Sequence, residues 1–220
     1  MSFTSTRYFP VFLNLAGMRI LVVGGGKVGT KRALKFREYG ADVTVVSLSF
    51  SDELSKREDI RRIELDAREV DQEFLRDYDI VVTATNSPEL NSRICDLCRK
   101  ARKLCNNPTN PPDSSFIVPI FYEDEDIGIA VTTMGKSSIM SKVILDRALE
   151  AVREDPRILL ELKVMSDVKT MLKRRVSDPG TRYTLYQKIF VDREFESFIN
   201  NGNVSNALKR AEEIVNEHSQ

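Results

Sequence analysis

ILVVGGGKVGTKRA, residues 20–33, decides how the rest of the chain is read. The β-branched, apolar run MRILVV (Met18 to Val23) stops at three glycines. From Lys27 to Tyr39 residues then recur at helical spacing through Val28, Lys31, Ala33, Leu34 and Phe36. This predicts strand, turn, helix. Gly40 stands where a helix C-cap glycine stands, and DVTVVS (Asp42 to Ser47) predicts a second strand. A β-α-β unit of about thirty residues joins parallel strands by a right-handed crossover.

Gly24, Gly26 and Gly29 fit G-x-G-x-x-G in the place that motif requires, after a strand and opening a helix. Gly24 would permit the tight turn, Gly26 a close approach of backbone to a diphosphate, and Gly29 close packing of helix on strand. Gly25 and the free N–H groups of the helix start would then face the phosphates. A purely structural turn is the alternative for the same glycines. An acidic residue about twenty positions on would normally take the ribose hydroxyls. Here the second strand leaves through Val46-Ser47-Leu48-Ser49, with no carboxylate before Asp52, which leaves NAD against NADP open.

Working outward, RRIEL (Arg61 to Leu65), DIVVTAT (Asp79 to Thr85) and KLCNN (Lys103 to Asn107) predict three more strands, with a helix before the last of them in ELNSRICDLCRKARKL, where Leu90, Ile94, Leu97, Ala101 and Leu104 recur at helical spacing. Alternating strands and helices specify an α/β fold with a doubly wound parallel sheet. NNPTNPPDSS (Asn106 to Ser115) is the clearest loop and marks a domain edge or a site. FIVPIFY (Phe116 to Tyr122) and DIGIAVTT (Asp126 to Thr133) predict a hairpin about the turn EDED, with helix from about Ser138 to Arg153. From Asp155 onward three helical stretches are predicted, broken at residues 178–180 and 201–203. The divisions that follow are residues 1–115, 116–153 and 154–220.

Thirty-three basic residues cancel thirty-three acidic ones, so no overall positive field draws the chain to nucleic acid or an anionic membrane. The N-terminal MSFTSTRYFPVFLNLAG lacks a signal-peptide pattern, and no run approaches about 18 apolar residues. Three cysteines do not read as a disulfide framework, and a cytoplasmic protein is the expectation. Cys95 and Cys98 form a C-x-x-C within the helical pattern. A buried helix face is expected there, with a redox pair as the weaker alternative, and no metal site is predicted.

VVGGGKVGTKRALKFREYGADVTVV, with TATNSPELN and AVTTMGKSS further on, closely resembles the precorrin-2 dehydrogenase family, also met as the N-terminal half of sirohaem synthases. The resemblance runs from about Phe9 to Val152. It implies an NAD-binding Rossmann domain, a small domain forming an intertwined homodimer, and a helical C-terminal region. It further implies that precorrin-2, a reduced tetrapyrrole with eight carboxylates, is oxidised to sirohydrochlorin with NAD. Cofactor contacts are implied at Lys27 and Val28 after the glycines, at Leu48 and Ser49, and at Thr85 and Asn86, where the family reads A-T-D-D.

Two positions depart from that pattern. Family members usually read N-V-V-D or N-V-A-D after the fifth strand, the aspartate being implicated in catalysis, and here its place is held by Thr109. Asp113, four residues on, is the carboxylate that could substitute, and the alternative is that no base is needed. TTMGKSS stands for a common S-T-G-G-K-S-P. Thr133, Gly135, Lys136 and Ser137 could hold a substrate carboxylate at a helix start, or Ser137 could simply cap the helix. Two readings stand beside the dehydrogenase, namely a bifunctional dehydrogenase and ferrochelatase, and a non-catalytic NAD-sensing module.

Overall fold

A computed structural model describes residues 8–218; part of the N-terminal segment read above therefore lies outside the described residues. The chain divides into two compact units, Met1–Val118 and Pro119–Gln220. No helix among the described residues is long and apolar enough to cross a membrane.

The first unit is built on β1 (Arg19–Val23), β2 (Asp42–Ser47), β3 (Arg61–Glu64), β4 (Ile80–Thr83) and β5 (Leu104–Asn106), in the order β3-β2-β1-β4-β5. All pairings are parallel, with Ile20 of β1 opposite Val43 on one side and Ile80 on the other. Side chains alternate between faces. Ile20, Val22, Val43, Val45, Ile80 and Val82 pack with Ala33 and Phe36 of α1 (Lys27–Glu38). Leu21, Val23, Val46 and Val81 pack with Ile94, Cys95 and Cys98 of α3 (Pro88–Lys100), the short α2 (Asp52–Ser55) falling between β2 and β3. Because both faces are covered, these strands are apolar throughout instead of alternating with polar residues. Helix α1 ends as its sequence predicts. Gly40, at φ +81°, donates to the Arg37 carbonyl at 3.0 Å and Ala41 to that of Phe36 at 3.2 Å, which is the Schellman pattern.

The cysteines depart from expectation. Cys95 and Cys105 are joined in a disulfide, and only Cys98 is a free thiol among the described residues. Packing of α3 against β5 brings the two Cα atoms within 5.5 Å, a proximity that residue spacing alone does not reveal. The C-x-x-C is not the bonded pair. Burial pushes the Cys98 thiol up to about 12, so it is a core residue and not a nucleophile. Closing so short a loop restricts the unfolded chain by roughly 2–3 kcal/mol. Urea unfolding with and without reductant is expected to differ by about that amount; coincident curves would show that the bond adds nothing.

The second unit holds the antiparallel hairpin of β6 (Ile120–Glu123) and β7 (Gly128–Val131), with Ile120 opposite Val131. The predicted strand from Phe116 begins late. Ser115 donates to the Cys105 carbonyl at 2.8 Å and Phe116 accepts from Asn106, so this stretch runs along β5 instead. After α4 (Ser138–Glu154) come α5 (Pro156–Arg175), α6 (Pro179–Phe190), α7 (Arg193–Asn200) and α8 (Val204–His218). Among the described residues the tail thus has four helices, where the sequence predicts three. Asp192 makes the extra break: it caps α7 by accepting the Phe195 N–H at 2.9 Å and is gripped in bidentate fashion by Arg210. Phe195, fully buried, sits with Val164, Val168, Leu185, Ile189 and Ile214 in the core of this unit.

Candidate functional site

The sheet order reverses between β1 and β4, and the glycine turn lies at the carboxyl end of β1 beside that switch point, where open α/β sheets bind ligands. The glycines divide by what surrounds them. A Cβ on Gly24, whose φ is +121°, would stand 2.3 Å from the Ala84 carbonyl oxygen, and one on Gly29 would stand 1.8 Å from that of Gly24. One on Gly25 would meet the Ser49 oxygen at 2.3 Å. Gly26 alone of the turn glycines would meet nothing within 4 Å. Gly24, Gly25 and Gly29 are buried, whereas Gly26, Lys27 and Val28 are exposed. Three glycines therefore serve close packing of backbone, and the fourth opens toward free space.

Helix α1 starts at that opening without a side-chain cap. By contrast, Ser51, Ser87, Ser137, Asp155, Asp178 and Asp192 each cap the helix they precede. The first-turn N–H groups of α1, which have no acceptor within the helix, face the exposed side of the turn with the positive end of the helix dipole. A diphosphate fits this start, and Lys27 adds a positive charge beside it. The turn is held rigidly. Gly24 donates to the Val46 carbonyl at 2.8 Å, Ser51 donates to that of Gly25 at 3.1 Å, and the Thr30 and Ser51 hydroxyls pair at 2.8 Å. Leu48, 64% exposed, and Ser49 lie at the carboxyl end of β2, on the side of the switch point where a dinucleotide's adenosine would lie.

On the other side, β4 runs out through Ala84, Thr85 and Asn86. The Thr85 hydroxyl lies 2.7 Å from Asn91 Oδ1, and Thr85 Oγ1 accepts from the Ser87 N–H at 3.2 Å, so its polar groups are engaged internally. Asn86 is exposed, and no hydrogen bond of its side chain is described. The stretch TATNSPELN by itself assigns no role to Asn91. It is a completely buried amide at the start of α3, and a polar residue on an otherwise apolar helix face was the signal.

The loop after β5 carries Thr109 and Asp113. Thr109 Oγ1 donates to Asn107 Oδ1 at 2.7 Å and accepts from Asn91 Nδ2 at 3.4 Å. Asp113 Oδ2 accepts from Ser92 Oγ at 2.5 Å and from Asn107 Nδ2 at 3.1 Å. The Ser92 hydrogen bond, with smaller contributions from Asn110, Asn107 and the charge of Arg99, holds this carboxyl below the usual carboxylate range. Its stabilising contribution is therefore complete above the unfolded value, about 3.9, and is lost as pH falls through the lower folded value. Asp113→Asn is expected to flatten the fall of the thermal midpoint on acidification below about pH 4 relative to the parent. An unchanged acid profile would show that the loop is not held this way.

In the second unit, Ser137 Oγ caps α4 by accepting the Met140 N–H at 3.2 Å, and Thr133 Oγ1 both accepts from Ser137 N–H at 2.9 Å and donates to the Ser137 carbonyl at 2.8 Å. Met134 and Gly135, at φ +53° and +82°, form the tight bend before the helix. Both hydroxyls of this block are engaged locally. Lys136 is exposed, with no partner described for its ammonium.

Residues 11–120 match a family model described as "Putative NAD(P)-binding". The chain is 27% identical over 197 residues to the "Putative precorrin-2 dehydrogenase" of Methanocaldococcus jannaschii, covering 84% of this chain and 91% of that one. It is 28% identical over 214 residues to "Siroheme synthase 2" of Serratia proteamaculans, covering 97% of this chain and 45% of the relative. The chain thus spans less than half the length of that siroheme synthase. Among solved structures, "SirC, precorrin-2 dehydrogenase" aligns with a TM-score of 0.66 at 23% identity over 94% of this chain and the whole of that one, a likeness of fold.

Proposed function

This chain belongs to the NAD(P)-binding family that its residues 11–120 match, and from that premise we propose that it oxidises precorrin-2 to sirohydrochlorin with NAD, as a homodimer. The observation that carries the reading is the uncapped start of α1 with Gly26 open beside it, at the reversal of strand order. The names of relatives aligned over most of this chain supply the substrate. When bound, the dinucleotide supplies the hydride acceptor.

The chain's own residues do the rest. The α1 N–H groups and Lys27 take the diphosphate, Val28 and the Leu48–Ser49 exit line the adenosine side, and Asn86 offers a free amide at the reactive end. Lys136 and the backbone of the Thr133–Ser137 bend meet substrate carboxylates. Thr109 cannot act as a carboxylate base. Asp113, ionised and already accepting two hydrogen bonds, is a weak base that secures the loop, so the proton is left to solvent and catalysis rests on positioning. Pairing of two copies is supported by a hairpin of only two strands, marginal by itself, next to the exposed Ile139 (75%) and Ile144 (46%) of α4.

The test is to supply precorrin-2 with NAD and follow the appearance of the sirohydrochlorin spectrum, in the parent, Thr109→Ala and Asp113→Ala. Turnover in all three within about tenfold is expected. A loss of about 100-fold or more in Asp113→Ala, the size of general-base catalysis, would restore that residue as the base. Binding of NAD without turnover in the parent would favour a sensing module.

A further inference from the structure

Asn91 and Asn107 are both completely buried amides, and the Asn91 side chain reaches the segment after β4 and the loop after β5 alike. Its Oδ1 accepts from the Thr85 N–H at 3.2 Å and lies 2.7 Å from the Thr85 hydroxyl, and its Nδ2 donates to the Thr85 carbonyl at 3.2 Å. The same Nδ2 makes a longer contact, 3.4 Å, with Thr109 Oγ1. The orientation of the amide follows from these partners, because a flipped amide would set oxygen against the Thr85 carbonyl and nitrogen against its N–H.

By bonding both backbone groups of Thr85, the side chain ties down the chain two residues beyond the end of β4. That residue is also walled on its other side, since a Cβ on Gly24 would lie 3.1 Å from Thr85 N. The backbone is thus held between the glycine turn and α3, and Asn86 is the next residue, exposed at the mouth. A buried amide with every polar atom engaged by two segments that both line the cleft is well suited to registering one wall against the other.

We propose that Asn91 is a positioning residue for the nicotinamide end of the cleft: through Thr85 it aims Asn86, and through Thr109 it sets the facing loop. This rests on the reading above only in taking NAD as the ligand. Because the diphosphate is gripped at α1, loss of Asn91 should spare that grip and impair only what lies beyond it.

The experiment compares the parent, Asn91→Leu and Asn91→Asp in titrations with NAD and with ADP-ribose, which lacks the nicotinamide. Asn91→Asp keeps the acceptor half of the amide and removes the donor half. The parent is expected to prefer NAD over ADP-ribose. Asn91→Leu should lose that preference at least fivefold while its ADP-ribose affinity stays within twofold, and Asn91→Asp should fall between. Equal loss of both ligands in both variants, or an unchanged preference, would overturn the proposal, as would a parent that binds the two ligands equally. If the parent binds NAD but does not oxidise precorrin-2, the reaction reading falls and this one stands. With turnover, kcat should drop about tenfold or more in Asn91→Leu while the KM for NAD moves less than threefold.

Discussion

Replacing Gly26 with valine is expected to lower dinucleotide affinity at least 100-fold, roughly 2.7 kcal/mol, while the thermal midpoint stays within about 2 °C of the parent. The two halves of this expectation have separate causes. Gly26 has φ −78° and ψ −173°, extended backbone that any residue adopts, and a side chain there meets no protein atom within 4 Å. The fold has no need of glycine at this position. A branched side chain would instead fill the space in front of the first N–H groups of α1, the place proposed for the diphosphate. Gly29→Ala and Gly24→Ala are the contrasting controls. One places Cβ 1.8 Å and the other 2.3 Å from a backbone oxygen, and Gly24 also holds a φ of +121°. Both should lose stability and binding together. Isothermal titration and a thermal melt of the same samples separate the cases, and a Gly26→Val variant that binds NAD like the parent would remove the site assignment.

Replacing Phe195 with alanine is expected to cost the second unit about 3–5 kcal/mol, the range for removing a large aromatic side chain from a packed core. Phe195 is fully buried, and it sits in the core that α5, α6 and α8 also line. Its helix is short, so its stability comes from this packing and from the Asp192 cap instead of from helix propensity. Urea unfolding followed by circular dichroism should show the loss. The nucleotide turn rests on other residues, those around Ile20, Val22 and Ala33. NAD affinity measured below the unfolding transition should therefore remain within about twofold. A cost under about 1 kcal/mol would mean that the core closes around the lost ring.

What could be read from the chain before folding was whatever neighbouring residues encode. The runs of valine and isoleucine, the glycine spacing of the first turn, Gly40 at the helix end and the prolines after Asn107 each act within a few residues, so they specify strands, crossovers and the position of the first glycine turn. Limits of that reading appear where distant segments meet. FIVP is apolar enough for a strand, yet its start is drawn to β5, where Ser115 donates to the Cys105 carbonyl and the Asn106 side chain donates to that of Phe116. The Asp192 break needed Arg210, eighteen residues on, to be recognised as more than a polar turn.

The same division runs through the site. Residue types and spacing alone determined that this chain makes a doubly wound sheet whose first crossover opens on a glycine turn and a helix start, since glycine's missing side chain and a helix's unpaired N–H groups are local properties. Only tertiary structure decided that Cys105 bonds Cys95 instead of leaving the C-x-x-C as a pair, that Thr85 spends its hydroxyl on Asn91, that Asn91 also reaches Thr109, and that Asp113 is tied to Ser92. Those partnerships depend on how far α3 lies from β4 and β5, a distance set by closure of the whole hydrophobic layer between them, and no short stretch of sequence contains it.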